Sequence, residues 1–126
     1  MEWAGRSFRA AVKVNRFLDA VRDLAQPIDP FQPRHELTRK KAEAISTASA
    51  RILAAHGVKA SCWGIVPREP AIFVSNHLGY FDPLLIAQMV PVSVIAKKEV
   101  AAWPLLGSAL ENAGTIMIDR TDPHSK

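Results

Sequence analysis

The sequence predicts an α/β fold: a sheet with flanking helices, preceded by two N-terminal helices. Three observations carry this. Two long segments before Gly57 repeat apolar residues at three- and four-residue steps. After Gly57, short β-type runs alternate with short helical ones as far as Asp119. Prolines and glycines punctuate the joints between them. Strand, helix, strand, helix, strand is the element order of an α/β sheet.

Residues 6–25 read as one amphipathic helix. Phe8, Val14, Phe17, Leu18, Val21 and Leu24 approximate an apolar stripe, with Arg6, Arg9, Lys13 and Arg16 mostly off it. Pro27, Pro30 and Pro33 block continuation, because each removes a backbone donor and disfavours helix in the residue before it. A second helix is expected from Thr38, as N-cap, to His56. Ile45, Ala48, Ile52 and Ala55 form its stripe, and Gly57 is the C-terminal glycine. Arg39-Lys40-Lys41 would then open this helix, where its dipole disfavours positive charge, so these residues are expected to serve the surface. Strands follow at Val58–Val66 and Ala71–Ser75, separated by the turn Pro67-Arg68-Glu69-Pro70. A helix is expected at Pro83–Met89 and a strand at Val92–Ala96. A helix broken at Pro104 should span Glu99–Asn112, and a last strand Thr115–Asp119.

Length and composition narrow the function classes. The 126 residues suit one domain. With 48% hydrophobic and 22% charged residues, disordered, collagen-like and coiled-coil chains are poor fits. No uncharged apolar run reaches the roughly 18 residues that span a bilayer, and Glu2 and Arg6 are not followed by the apolar stretch of a signal peptide. The single cysteine, Cys62, excludes an internal disulfide and any cysteine-pair metal site. It reads as a half-buried strand residue, and Trp63 and Trp103 as core or membrane-edge side chains. Residues 1–59 hold 11 Lys/Arg against 6 Asp/Glu, and residues 60–126 hold 5 against 6. All the basic excess is N-terminal, which points to an acidic partner surface, nucleic acid or anionic lipid. No nucleic-acid-binding motif accompanies it, so nucleic acid is not expected.

The stretch that carries chemistry is Val74-Ser75-Asn76-His77-Leu78-Gly79-Tyr80-Phe81-Asp82-Pro83. It leaves the C-terminal end of an expected strand, where α/β sheets bind ligands, and enters a helix with Asp82 at N-cap and Pro83 at N1. Gly79 is expected to let the chain turn back so that Asp82 meets the His77 imidazole. A carboxylate on one ring nitrogen fixes the tautomer and stabilises the imidazolium, which leaves the other nitrogen as a general base. No Gly-x-Ser-x-Gly elbow supplies a nucleophile, so the base must act on a hydroxyl of the substrate. Taken singly, Asp82 is an N-cap, His77 a loop histidine, and Lys97, Lys98 and Arg120 solvated charges. A third metal ligand is absent nearby, and no metal is expected.

Four blocks taken together are more specific: Asn76 through Pro83, Ala96-Lys97-Lys98-Glu99, Trp103-Pro104-Leu105-Leu106-Gly107, and Gly114 through Arg120. In this order and spacing they resemble the glycerophospholipid acyltransferases, closest to the bacterial 1-acylglycerol-3-phosphate branch. The first block is similar to that family's Asn-His-x-Ser/Gly-x-x-Asp motif. The resemblance implies a mixed sheet of the glycerolipid-acyltransferase type. It divides the chain into a helical, membrane-facing region at 1–57 and the N-terminal part of an acyltransferase domain at 58–126. It implies that His77 deprotonates the acceptor hydroxyl and Asp82 orients His77. Arg120 helps bind the acceptor phosphate, Gly79 shapes the turn, Asn76 supports the loop, and Lys97 and Lys98 belong to the substrate-binding set. Acyl-CoA or acyl-ACP would be the donor substrate, with no cofactor. A lysophospholipid would be the acceptor, and the cytoplasmic face of a membrane the location, held peripherally. The family's third motif is Glu-Gly-Thr-Arg-like and is not found before Lys126. The expectation is therefore an incomplete sheet, with a truncated, inactive membrane- or partner-binding fragment as the alternative, and a poorly soluble or oligomeric isolated chain.

Overall fold

The computed structural model describes the backbone of residues 2–125 and the side chains of residues 9–124. The side chains of Arg6 and Phe8, assigned above to the first helix and its stripe, lie outside the described residues. The elements in chain order are α1 (Glu2–Leu24), α2 (Arg34–His56), α3 (Phe81–Ala87), β1 (Ile95–Lys97), a 3-10 turn at Lys98–Ala102, α4 (Leu106–Asn112), β2 (Ile116–Ile118) and a 3-10 turn at Pro123–Ser125. Helices dominate, and the two strands form a small parallel sheet, which is compatible with the α/β class.

α1 and α2 form an antiparallel hairpin around the three prolines. Phe17 meets His56 at one end, and Arg51 of α2 pairs with Asp23 of α1 nearer the other. Of the stripe read from the sequence, Val21 and Leu24 are buried and Phe17 packs against them; Ala20, not part of that stripe, is buried with them, in one cluster with Ile45, Ala48 and Ile52. Val14 is off it and 56% exposed. α3 adds Ala87 to this core, and α4 adds Ala109 with the adjoining Ala113. Small alanines at the contacts let the four helices approach closely. The amide of Asn112 also donates to the Ala25 carbonyl at 3.2 Å, tying the end of α4 to the end of α1.

α2 starts at Arg34 rather than Thr38. Pro33 sits before it with φ −53° and ψ 139°, an extended conformation that proline prefers and that suits the residue before a helix. Thr38 is therefore interior, and its hydroxyl donates to the Arg34 carbonyl at 2.9 Å instead of capping. This moves Arg39-Lys40-Lys41 out of the first turn, so the dipole argument made for them lapses. Arg39 instead pairs with Glu43 at 2.6 Å and Lys40 with Glu36 at 3.3 Å. Gly57 ends the helix as expected, at φ 71°.

β1 and β2 are parallel, with Ile95 opposite Ile116, Ala96 opposite Met117 and Lys97 opposite Ile118. A parallel pair needs a long crossover, and the 3-10 turn with α4 supplies it. The expected break at Pro104 is real. Leu106 N–H donates to the Pro104 carbonyl at 2.7 Å across Leu105, which sits at φ 64° and ψ −46°. This is the tight γ-turn of the strained, positive-φ kind.

The strands expected at Val58–Val66 and Ala71–Ser75 are not formed. Residues 59–80 carry no strand and are exposed throughout. A strand is held by its ladder to a neighbour. Among the described residues β1 and β2 pair only with each other, so an alternating apolar pattern supplies a surface without a partner. Cys62, read as a half-buried strand residue, is exposed for the same reason, and Trp63, read as a core or membrane-edge side chain, is 94% exposed and so not in the core.

Candidate active site

The loop that ends in α3 brings His77 and Asp82 together, although not by the expected cap. α3 begins at Phe81, so Asp82 is its second residue and Pro83 its third. Pro83 still lies in the first turn, where its missing N–H has no intrahelical partner to lose. One oxygen of Asp82, Oδ2, accepts from the backbone N–H of Leu78 at 2.6 Å and of Gly79 at 2.8 Å. The same oxygen lies 3.5 Å from Nδ1 of His77. The Gly79 N–H, followed by those of Leu78 and the His77 imidazole, holds the Asp82 carboxyl below its ordinary value of 3.8. The carboxylate is thus ionised at neutral pH and partly sheltered, while the His77 side chain is 68% exposed.

Gly79 acts differently from the expectation. It is not among the residues at positive φ, and a Cβ built on it meets nothing within 4 Å. What it contributes is an N–H to Asp82, not conformational freedom.

The second pair lies at the C-terminal edge of the sheet. Because β1 and β2 are parallel, Lys97 and Lys98 leave one strand at the same edge where Asp119 and Arg120 leave the other. Lys98 Nζ is 3.3 Å from Asp119 Oδ2. Asp119 Oδ1 also accepts from the Thr121 hydroxyl at 2.6 Å and the Thr121 N–H at 2.9 Å. These bonds, the hydroxyl first, and then Lys98 hold the Asp119 carboxyl down at about 2. Among the described residues Asn76, Lys97 and Arg120 make no side-chain hydrogen bond or ion pair, and all three are exposed. Among the described residues no three His, Cys, Asp or Glu side chains gather closely enough to hold a metal ion. The grooves lined by Arg16, Asp19, Ala20, Arg51, Ala54 and Ala55, and by Asp23, Leu24, Ala44, Thr47 and Ala48, lie on the α1–α2 face.

Sequence reasoning assigned no role to Asp119, His56 or Phe81. Asp119-x-Thr121 is a readable turn signal. Nothing in the sequence links His56 to Phe81, 25 positions on. Their rings meet edge-on, with centroids 5.3 Å apart.

The chain thus carries a histidine beside a helix-borne carboxylate, an arrangement that can orient an imidazole for proton transfer, and, on other elements, a set of cations at the C-terminal edge of the sheet. Residues 35–126 match the family model described as Acyltransferase, and the chain belongs to that family. It is similar to the lyso-ornithine lipid O-acyltransferase of Pseudomonas aeruginosa, 38% identical over 77 residues, covering 61% of this chain and 30% of the relative. It is 38% identical over 56 residues to the 1-acyl-sn-glycerol-3-phosphate acyltransferase of Neisseria gonorrhoeae, 43% of this chain and 22% of the relative. It is 39% identical over 57 residues to the lysophosphatidylcholine acyltransferase of Drosophila melanogaster, 45% of this chain and 11% of the relative. In these alignments the chain spans less than a third of each relative's length. No solved structure matches.

Proposed function

We propose that this chain carries the general-base half of a centre that moves a fatty acyl group from acyl-CoA or acyl-ACP to the hydroxyl of a lysophospholipid, such as 1-acylglycerol-3-phosphate. The observation that carries the reading is the His77 Nδ1–Asp82 Oδ2 approach at 3.5 Å, on a carboxylate already fixed by two backbone N–H groups. With Nδ1 turned to Asp82, Nε2 takes the proton of the acceptor hydroxyl. The oxygen attacks the thioester carbonyl, the carbon–sulfur bond breaks, and the departing thiolate takes the proton back from the imidazolium. Arg120, Lys97 and Lys98 are the cations offered to the acceptor headgroup, and Asn76 supports the loop. A guanidinium suits phosphate because its donors form a planar fork.

No helix among the described residues is long and apolar enough to cross a membrane. The exposed Arg9, Lys13 and Arg16 of α1 instead fit peripheral contact with anionic lipid at the cytoplasmic face. Each such cation contributes about 1 kcal/mol near a charged surface.

The test is release of free thiol from acyl-CoA, with and without lysophosphatidate, by the chain and by His77→Ala. Acceptor-dependent release that disappears in His77→Ala is expected. Release that survives His77→Ala would overturn the mechanism. No release, with binding to anionic vesicles retained, would favour a membrane-binding role without catalysis.

A further inference from the structure

We infer that His56, at the end of α2, is a positioning residue for the His77–Asp82 pair and acts through Phe81. This rests on the function proposed above. α3 has only seven residues, too few to hold a helix without tertiary support. Its place is therefore set by what it docks on. At its C-terminal end Ala87 is buried in the helical core. At its N-terminal end, the catalytic end, Phe81 stands edge-on to the His56 ring at 5.3 Å and 73°. Phe81 is the residue before Asp82, so its side chain sets the first turn from which that carboxylate projects.

The His56 ring is itself fixed. Its Nδ1 lies 2.8 Å from the Ile52 carbonyl, one turn back in α2, which selects the tautomer that donates there. Phe17 of α1 also stands edge-on to it, with centroids 6.5 Å apart at 89°. Tyr80 lies against Phe81, with ring centroids 4.2 Å apart and the planes tilted by 33°. A continuous row of rings thus runs from the α1–α2 hairpin to the residue beside Asp82. Edge-to-face pairs at these spacings are favourable and directional. A histidine serves better than a plain hydrocarbon ring, because its hydrogen bond to Ile52 locks the plane that Phe81 meets.

The test uses the full chain and needs no turnover. The amide proton shifts of Leu78 and Gly79 report ionisation of Asp82, and that of Thr121 reports ionisation of Asp119. In the wild type both midpoints are expected below the ordinary carboxylate value. In His56→Ala the Leu78 and Gly79 midpoint is expected to rise toward that value while the Thr121 midpoint stays in place. His56→Phe, which keeps a ring, is expected to recover most of the shift. If neither midpoint moves in His56→Ala, or both move together, His56 does not position the pair and the inference is overturned. A wild-type midpoint at the ordinary value for Leu78 and Gly79 would instead remove the His77–Asp82 arrangement, and the proposed function with it.

Discussion

Oδ2 of Asp82 serves His77 and the backbone at once: it lies 3.5 Å from the imidazole Nδ1 while accepting the Leu78 and Gly79 N–H groups. The backbone bonds come first in holding the carboxylate ionised, so the pair does not depend on the histidine's own charge. Asp82→Asn separates geometry from charge. Its amide oxygen can still accept the two N–H groups, but it cannot stabilise an imidazolium. Acceptor-dependent thiol release is expected to fall by about 10²–10⁴-fold, the usual worth of a positioned base, with the acceptor KM little changed. A fall in affinity without a fall in kcat would contradict the assignment.

Acid stability follows from the two depressed carboxyls. Asp82 lies below 3.8, and Asp119 lies at about 2. In the unfolded chain both carboxyls return to the ordinary value, so the unfolded state binds more protons in the interval between the values. Their contribution is complete above the ordinary value and is lost as pH falls through the folded one. Thermal melts should therefore be flat for these groups at neutral pH and fall toward pH 2. Asp119→Asn is expected to melt lower at neutral pH and to show a shallower fall. An unchanged slope would contradict the Thr121 and Lys98 bonds to this carboxylate.

The turn between the 3-10 segment and α4 offers a pair of opposite stability effects. A Cβ on Gly107 would sit 2.0 Å from the carbonyl oxygen of Ala101, a backbone atom that no rotamer change can move. Gly107→Ala should therefore cost at least the 1–3 kcal/mol typical of overpacking (about that range) and lower Tm by several degrees. Leu105 holds φ 64° without being glycine and is 65% exposed. Leu105→Gly relieves strain of about 1–3 kcal/mol, against an unfolded-state cost of about 0.4–1 kcal/mol. A raised Tm is expected, measurable in the same melts.

The sequence made these local features legible to different depths. The helix periodicities located α1 and α2 because their buried faces, Ala20 to Leu24 and Ile45 to Ile52, are set by spacing along one element. Pro104 marked the break before α4, and the loop spacing brought His77 to Asp82. Three other features were less legible. The α2 start moved to Arg34 because Pro33 suits the position before it, a competitor to the Thr38 cap. Gly79 turned out to be an N–H donor, which composition alone does not distinguish from a flexible hinge. The His56–Phe81 contact joins two elements across the fold, and no local pattern encodes it.

The unformed strands lead to the last prediction. Ile65 is 97% exposed, Ile72 93% and Val74 91%, on an irregular segment whose backbone has no ladder. Such a segment joins apolar surface to unpaired N–H and C=O groups, the two features that template edge-to-edge association. The isolated chain should self-associate with rising concentration, as seen by sedimentation velocity. Ile72→Lys with Val74→Lys places two charges within three residues of that segment. These positions make no core contact, so the helical melt should change by no more than about 0.5 kcal/mol, while the associated fraction falls. A wild-type chain that stays a monodisperse monomer at high concentration would show that exposed apolar side chains here do not suffice to drive association. Equal association by the wild type and the double variant would place the contact elsewhere on the molecule.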